Sequence, residues 1–311
     1  DIKGGTIQNF AGDPPAPING QVWYDSTAVA FQFRAVNPVG AWATGNKVNN
    51  PRSLLGGAGT QTAALIFGGQ PNPAKTETET YDGSSWTEVA DLNTGRNAIF
   101  GAGTQTSALG FGGEPTTGKT EQWNGTAWTE TADMNTGRNN GGAGGASNTS
   151  ALGFAGYVGP AYVAVAESWN GTSWTEVADL NTNRGYMTGM GTATAALAAA
   201  GYDTANYAIA ESWNGTAWTE VGDLNTARRG AAAGKQSSTA GLVFGGFISA
   251  VTNLNEAWNG TSWTEVADLS TASAFKAGAG TQASALAATG DPNAVEEFTF
   301  PVETSETITT S

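Results

Sequence analysis

The sequence predicts an all-β protein, a six-bladed β-propeller with four strands in each blade. Three observations predict this fold class. A Trp-containing block recurs at intervals of 42 to 46 residues. Each interval carries the Asn-Gly or Asp-Gly turn residues of tight β-hairpins. No segment combines a helical period of apolar residues with helix caps. Repeats of this length that hold four strands are typical of propeller blades.

Two residue columns anchor the repeat. Ten residues after each Trp anchor there is an Arg, except in the sixth copy, where Ser273 takes its place. We interpret the Trp column as packing between blades, with carbohydrate stacking as the alternative. We interpret the Arg column as structural, either paired with a Glu or Asp of its unit or capping carbonyls, with an anion-binding ring as the alternative. The columns are Trp42, Trp86, Trp128, Trp174, Trp218 and Trp263, and Arg52, Arg96, Arg138, Arg184 and Arg228.

The strands of one unit follow from local chemistry. A Gly/Ala stretch after the Arg leads into a short apolar run such as ALIFGG (64–69), which predicts a buried strand. A variable loop comes next, and then an E-x-aromatic strand. Asn-Gly, as at Asn124-Gly125, joins that strand to the strand that begins at the Trp anchor, because both residues tolerate φ > 0.

The two ends of the repeat are out of phase. Trp42 precedes the first apolar run, whereas the last run lacks a following Trp. The sequence therefore predicts that the Trp42 segment completes the blade begun by residues 273–300 and closes the ring. The sequence predicts three domains: an N-terminal linker or attachment segment at 1–40, a propeller at 41–301 and a Ser/Thr-rich tail at 302–311. The first contains a small hairpin (Val22–Asp25 with Ala30–Arg34). The tail has too few apolar residues to pack alone.

The repeat resembles a known family. The Gly-Gly after an apolar strand, the downstream aromatic pair and the Arg that opens the next unit resemble Kelch repeats, and the resemblance implies a β-propeller from about Trp42 to Phe300. Three copies lose one Gly of the pair, as in Ala155-Gly156, and the usual Tyr is mostly Trp. The repeated W-N-G-T-x-W and GAGTQT blocks, with GQVWYDST at 20–27, also resemble tail or fibre proteins of marine bacteriophages, which implies a place on a virion.

The composition excludes several kinds of chemistry. The chain has no His and no Cys, so it offers no imidazole base, no thiolate and no His- or Cys-ligated metal. We therefore expect no cofactor and no metal, including the copper found on some Kelch propellers. The net charge of −14 argues against a nucleic-acid partner. No apolar run is long enough to span a bilayer, so no membrane insertion is expected.

The loops that do not repeat are the candidate binding sites. Aromatic and aliphatic residues follow the apolar runs of blades 3, 4 and 5, and we expect them to form one patch that contacts a partner protein or a glycan. Packing over the ring is the alternative. The patch residues are Tyr157, Tyr162, Tyr202, Tyr207, Phe247 and Ile248. Trp23 lies outside the Trp columns. Together with Tyr24 it is a candidate attachment site, and a core role for Trp23 is equally compatible with its position.

These observations predict a non-enzymatic binding or structural propeller on a virion, in a tail fibre or other appendage. Its N-terminal segment would contact other virion proteins, its loop face would bind a host-surface glycan or protein, and we expect a homo-oligomer. The alternatives are a secreted carbohydrate-active enzyme that uses Asp/Glu pairs and a bacterial surface adhesin. A catalytic pair normally breaks symmetry, whereas these carboxylates recur in every full unit. Glu296-Glu297 and Asp203 are the candidate exceptions.

Overall fold

A computed structural model describes residues 7–12, 14–15, 21–37, 39–71, 73–290, 294–300 and 302–307. These residues form 28 strands and no helix, so none of them belongs to a helix long and apolar enough to cross a membrane. The chain divides into two compact units: a terminal unit of Asp1–Ala41 with Thr299–Ser311, and a central unit of Trp42–Phe298. The strands form seven four-stranded sheets.

The terminal unit contains one sheet built from both ends of the chain. It comprises β1 (Gln8–Phe10), β2 (Val22–Asp25), β3 (Ala30–Asn37) and β28 (Val302–Thr307), in the order β1-β2-β3-β28. The predicted hairpin is present, since β2 pairs antiparallel with β3 and the Asp25 carboxylate accepts hydrogen bonds from the turn nitrogens of Thr27 (2.8 Å) and Ala28 (3.1 Å). This seventh sheet is additional to the six that the repeat predicts.

The tail takes part in the terminal sheet. Residues 302–307, which the sequence predicts to be unable to pack alone, pair antiparallel with β3 over six residues. A strand ladder is made by backbone groups, and Val and Thr favour strands, so low apolar content did not prevent pairing. Residues 308–311, and residues 13, 16 and 17 of the Pro-rich segment at 12–17, lie outside the described residues.

The central unit holds six sheets with the same strand pattern. In five of them, four consecutive strands pair antiparallel in chain order. The strands are β5 (Gly56–Gly59), β6 (Ala64–Phe67), β7 (Thr78–Tyr81) and β8 (Trp86–Val89); β9 (Phe100–Gly103), β10 (Ala108–Phe111), β11 (Thr120–Trp123) and β12 (Trp128–Thr131); β13 (Gly142–Ser147), β14 (Ser150–Val158), β15 (Ala161–Trp169) and β16 (Trp174–Val177); β17 (Thr188–Gly191), β18 (Ala196–Ala199), β19 (Ala210–Trp213) and β20 (Trp218–Val221); β21 (Ala232–Gly234), β22 (Gly241–Phe244), β23 (Asn255–Trp258) and β24 (Trp263–Val266).

The sixth sheet joins residues from both ends of the repeat. It contains β25 (Ala277–Gly280), β26 (Ser284–Ala288), β27 (Glu296–Thr299) and β4 (Ala41–Thr44), in that order. The first strands of the six sheets contact one another in the pairs β5–β9, β9–β13, β13–β17, β17–β21, β21–β25 and β25–β5. The central unit is therefore an all-β, propeller-like arrangement of four-stranded sheets.

The Trp anchors pack between successive sheets. The ring of Trp128 lies 4.8 Å from that of Phe67 in the preceding sheet, and the pair Trp218–Phe154 repeats this contact at 4.9 Å. In the fourth sheet Ala199 replaces the Phe, and Met190 joins the cluster around Trp263 instead. A flexible thioether fills such a gap well. Aromatic pairs of this kind add roughly 0.5–1.5 kcal/mol to what burial of their surface contributes.

Candidate functional site

The Arg column forms buried ion pairs. Each guanidinium pairs with the Glu of the E-x-aromatic strand, and not with the Asp of the ADLNT segment. The N···O distances are 2.6 Å for Arg52–Glu79, 2.7 Å for Arg96–Glu121, 2.5 Å for Arg138–Glu167, 2.5 Å for Arg184–Glu211 and 2.7 Å for Arg228–Glu256. The Glu also accepts hydrogen bonds from an Asn of the preceding segment, as from Asn93 N (2.7 Å) and Nδ2 (2.8 Å) to Glu121. These arginines are thus engaged within the fold.

The sixth copy replaces the column Arg by a lysine at another position. Lys276 is buried, and its ammonium donates to the carbonyls of Thr289 and Ala294, each at 2.6 Å. Arg96 makes the matching bonds to Gly112 O (2.8 Å) and Lys119 O (2.6 Å) in the second sheet. Burial lowers the pKa of Lys276 to about 8. The cation that Ser273 lacks is therefore supplied three residues later.

The acidic residues show no separate catalytic arrangement among the described residues. The E-x-aromatic carboxylates are held in the ion pairs. Glu296 accepts hydrogen bonds from the backbone of Ser270 (2.7 Å) and Thr271 (3.1 Å), and Glu297 accepts one from the Tyr81 hydroxyl. Within the described part of the chain, no three His, Cys, Asp or Glu side chains are grouped so that they could hold a metal ion.

Backbone hydrogen bonds link the six units of the central unit in a circle. Its members, the axial ring, lie two residues after the column position in each unit, and each donates its N–H to the carbonyl of the member before it, at 2.6–3.2 Å; Leu54 N–H donates to Phe275 O, which completes the circle. All six have φ between 50° and 62°. Only one is Gly, and strained backbone of this kind is often found at functional positions. The members are Leu54, Ala98, Asn140, Tyr186, Gly230 and Phe275.

The predicted loop residues meet beside the axial ring. The Tyr162 ring makes edge-to-face contacts with Tyr157 (5.2 Å), Tyr202 (5.9 Å) and the axial-ring residue Tyr186 (6.4 Å). Tyr186 in turn contacts Phe275 at 6.0 Å. Gly185 leaves room for this arrangement, because a Cβ there would lie 2.7 Å from the Tyr162 ring. Burial raises the pKa of Tyr162 to about 12, with its neighbouring tyrosines adding to the effect.

Arg229 links this cluster to the next loop. Its guanidinium carbon lies 4.5 Å from the Tyr202 ring centroid and 4.7 Å from that of Phe247. The resulting surface, which we call the aromatic face, combines Tyr157 and Tyr162, which pair across β14 and β15, with residues of the fourth, fifth and sixth units. Each of its side chains is partly exposed. The aromatic face consists of Tyr157, Tyr162, Tyr186, Tyr202, Phe247, Phe275 and Arg229.

Two cavities lie next to the axial ring and the first strands of the sheets. The first, of about 90 Å³, is lined by the axial ring and by Lys276. The second, of about 100 Å³, is lined by inner strands, Lys276 and Lys235. Lys235 follows β21, yet its ammonium donates to Gly57 O (3.0 Å) and Gly101 O (3.2 Å) of two other sheets. Burial lowers its pKa to about 8. Of the two lysines that line these cavities, Lys235 places its ammonium on inner-strand carbonyls, whereas the Lys276 ammonium bonds Thr289 O and Ala294 O.

Some predicted site residues lie elsewhere. Tyr207 and Ile248 are half-buried and make no ring contact with the aromatic face among the described residues, although the Ile248 carbonyl accepts a bond from Asn206 Nδ2 at 2.8 Å. Trp23 is fully buried, so it is a core residue of the terminal unit and cannot present its ring to a partner. Tyr24 is half-buried and packs edge-to-face on Phe31 at 5.3 Å.

Tyr186, Arg229 and Phe275 belong to the aromatic face but are not among the residues predicted from the sequence. A signal was available, because the one or two positions after the column residue vary from copy to copy while the flanking motifs repeat. Variable positions on a repeat scaffold often carry binding function. Comparison with known proteins adds no family: the chain matches no protein-family model and no curated protein.

Proposed function

We propose that this chain is a non-enzymatic binding protein whose central unit is a closed six-bladed, Kelch-like propeller. The complete circle of axial-ring hydrogen bonds supports closure, as do the cyclic contacts of the first strands and the place of β4 beside β27. A ring closed by strands from both ends of the repeat protects the strand edges.

The aromatic face is the proposed binding surface, and its assembly is the observation that carries the proposal. Partly exposed tyrosines from separate segments of the chain contact one another, next to a guanidinium held between two rings. Tyr and Arg are the residues that dominate binding surfaces, since they bring large contact areas together with hydrogen-bonding groups. Packing alone would not require their partial exposure.

The carboxylates support a role without catalysis. General acid-base work needs two acids in unlike environments. Here the same Arg–Glu–Asn arrangement holds the E-x-aromatic carboxylate in five sheets, and the edge-strand acids such as Glu130 are exposed to solvent. The regular use of acids in the scaffold favours binding over sugar hydrolysis.

For the setting of this binding activity, we propose a virion appendage such as a tail fibre. The repeated sequence blocks support it, and so does the terminal unit, which exposes apolar side chains suited to contact with another virion protein. Val29 is 72% exposed and Phe31 is 43% exposed. A bacterial surface adhesin would use the same aromatic face, and antibody labelling distinguishes the two locations.

The experiment combines localisation with binding. Antibody against the central unit should decorate appendages of purified virus particles in negative stain, and the purified chain should bind bacterial envelopes and immobilised glycans without altering them, as followed by mass spectrometry. Label confined to cell envelopes would contradict the virion setting. Turnover of a bound sugar would contradict the non-enzymatic role.

A further inference from the structure

We infer that the aromatic face binds a sugar that bears a carboxylate, and that Arg229 is the residue that takes the carboxylate. This inference rests on the proposed binding function of the aromatic face and specifies its ligand. The first observation is the absence of an ionic partner for Arg229. The five column arginines each have a buried Glu partner, whereas Arg229 has no carboxylate at salt-bridge distance among the described residues.

The lack of a carboxylate partner for Arg229 among the described residues is notable because acids are abundant. The chain has 27 Asp and Glu against 13 Lys and Arg. The exposed lysines near acids are paired, as Lys119 is with Glu130 at 2.7 Å. Arg229 instead donates from Nη1 to the neutral Asn206 Oδ1 at 3.3 Å. A guanidinium has five N–H donors, so most of its donors stay available for an anion.

The guanidinium is held in place before any ligand binds. Tyr202 and Phe247 contact it through their rings. The backbones of Arg229 and Phe247 exchange hydrogen bonds of 3.1 and 2.8 Å, and Asn206 Nδ2 donates to Phe247 O at 3.1 Å. A planar guanidinium fixed in this way can meet a carboxylate through two parallel hydrogen bonds, and little side-chain entropy is lost on binding.

The choice of a sugar over an acidic peptide follows from the backbone. An extended peptide usually adds itself to a free strand edge. At this face the loop backbones are already bridged to one another, as in Gly185↔Tyr202, Arg229↔Phe247 and Phe247↔Val251. Side chains are left for recognition: tyrosine rings that stand at 61–80° to each other around Tyr162, with hydroxyls at their tips. Such rings stack on sugar faces and bond sugar hydroxyls.

The test compares acidic oligosaccharides with their neutral methyl esters. A panel of galacturonate, glucuronate and sialyl oligosaccharides, each with its ester, is titrated against the full chain by calorimetry. We expect at least one acid to bind about 10- to 100-fold more tightly than its ester, the effect of a charge-assisted hydrogen-bond pair. Arg229→Met should abolish this difference, Arg229→Lys should restore part of it, and the control Lys75→Met should leave it unchanged. Thermal unfolding verifies that each variant is folded.

Three results would overturn the inference. The first is that no acid in the panel binds more tightly than its ester to the wild-type chain. The second is that the preference survives in the folded Arg229→Met variant. The third is that a poly-glutamate peptide binds through Arg229 while the acidic sugars do not, which would assign the face to a protein partner. Neutral glycans or envelopes that still bind through the tyrosines would leave the proposed binding function standing.

Discussion

Trp218 and Ala166 share one buried cluster, and the Trp218 indole N–H has no hydrogen-bond partner among the described residues. The preceding sheet shows why. There the indole of Trp174 donates to the hydroxyl of Thr120 at 3.0 Å. Ala166 occupies the position equivalent to Thr120 in the third sheet, so the acceptor hydroxyl is missing. A buried donor without a partner costs about 1–3 kcal/mol.

Ala166→Thr should therefore stabilise the protein. The new hydroxyl would accept the Trp218 N–H bond, and we expect the free energy of unfolding to rise by about 1 kcal/mol. Urea denaturation measures the change. Ala166→Val is the matched control, because Val has the shape of Thr without the hydroxyl. Equal stabilities of the Thr and Val variants would contradict the missing-acceptor explanation.

Removing a column arginine should be far more damaging than removing a surface lysine. Arg96→Met leaves the Glu121 carboxylate buried without its cation, and we expect a loss of about 3–5 kcal/mol in unfolding free energy. Lys75→Met breaks only the partly exposed Lys75–Glu77 contact of 3.6 Å and should cost about 0–1 kcal/mol. Denaturant titration of both variants tests this contrast. Similar losses would show that burial of the pair does not govern its contribution.

The sixth copy allows the two cation positions to be exchanged. Ser273→Arg places a second cation beside Lys276, and we expect it to destabilise the fold by about 3–5 kcal/mol because one of the two charges stays uncompensated. Combining it with Lys276→Leu recreates the arrangement of the first sheet, which has Arg52 and Leu55, and should recover most of this loss. A double-mutant cycle measures the coupling. Additive effects would mean that the two side chains do not share one site.

Lys276 should also make stability depend on pH. Its pKa of about 8 is below that of the unfolded chain, because burial disfavours the charged form. Between about pH 8 and 10 the unfolded state therefore holds more protons than the native state, so the native state gains stability as pH rises, by at most about 1.4 kcal/mol per pH unit. Burial also lowers the pKa of Lys235 to about 8, so Lys235 contributes a similar rise and the slope in Lys276→Leu should fall by about half. Tyr162, whose pKa is raised to about 12, opposes it only above about pH 10. Parallel curves for the two proteins would contradict this origin.

What the sequence predicts well is local. The Asn-Gly turns and the strands on either side of them depend on neighbouring residues, and Asn124 Oδ1 accepts the turn nitrogens of Thr126 and Ala127 at 2.9 Å each. The Arg–Glu pairs could be predicted only as alternatives, because the spacing placed both a Glu and an Asp within reach of each Arg. The role of Lys276 could not be predicted, because this lysine supplies the charge of the column arginine from a position three residues later in its unit.

Contacts between distant segments account for the features that local sequence patterns do not predict. The tail strand β28 pairs with β3 at the opposite end of the chain, and no local pattern specifies that partner. Trp23 was ambiguous because a lone Trp suits a core and a docking surface equally. The loop residues Tyr157, Tyr162 and Tyr202 were predictable as one patch, whereas Tyr186 and Arg229 join them only because the sheets are arranged side by side.

The most direct test of the account is binding by a chain whose aromatic face has been removed. In Tyr162→Ser/Tyr202→Ser the ring contacts at the centre of that face are lost, while Thr216→Ala/Thr261→Ala changes two exposed hairpin turns as a control. Surface plasmon resonance measures binding to bacterial envelopes and glycans. We predict that this binding weakens by about 100-fold or more in the tyrosine variant, as expected for the loss of a binding hot spot. Binding by the control variant should be unchanged. Undiminished binding by a folded tyrosine variant would contradict the assignment of this face as the binding surface.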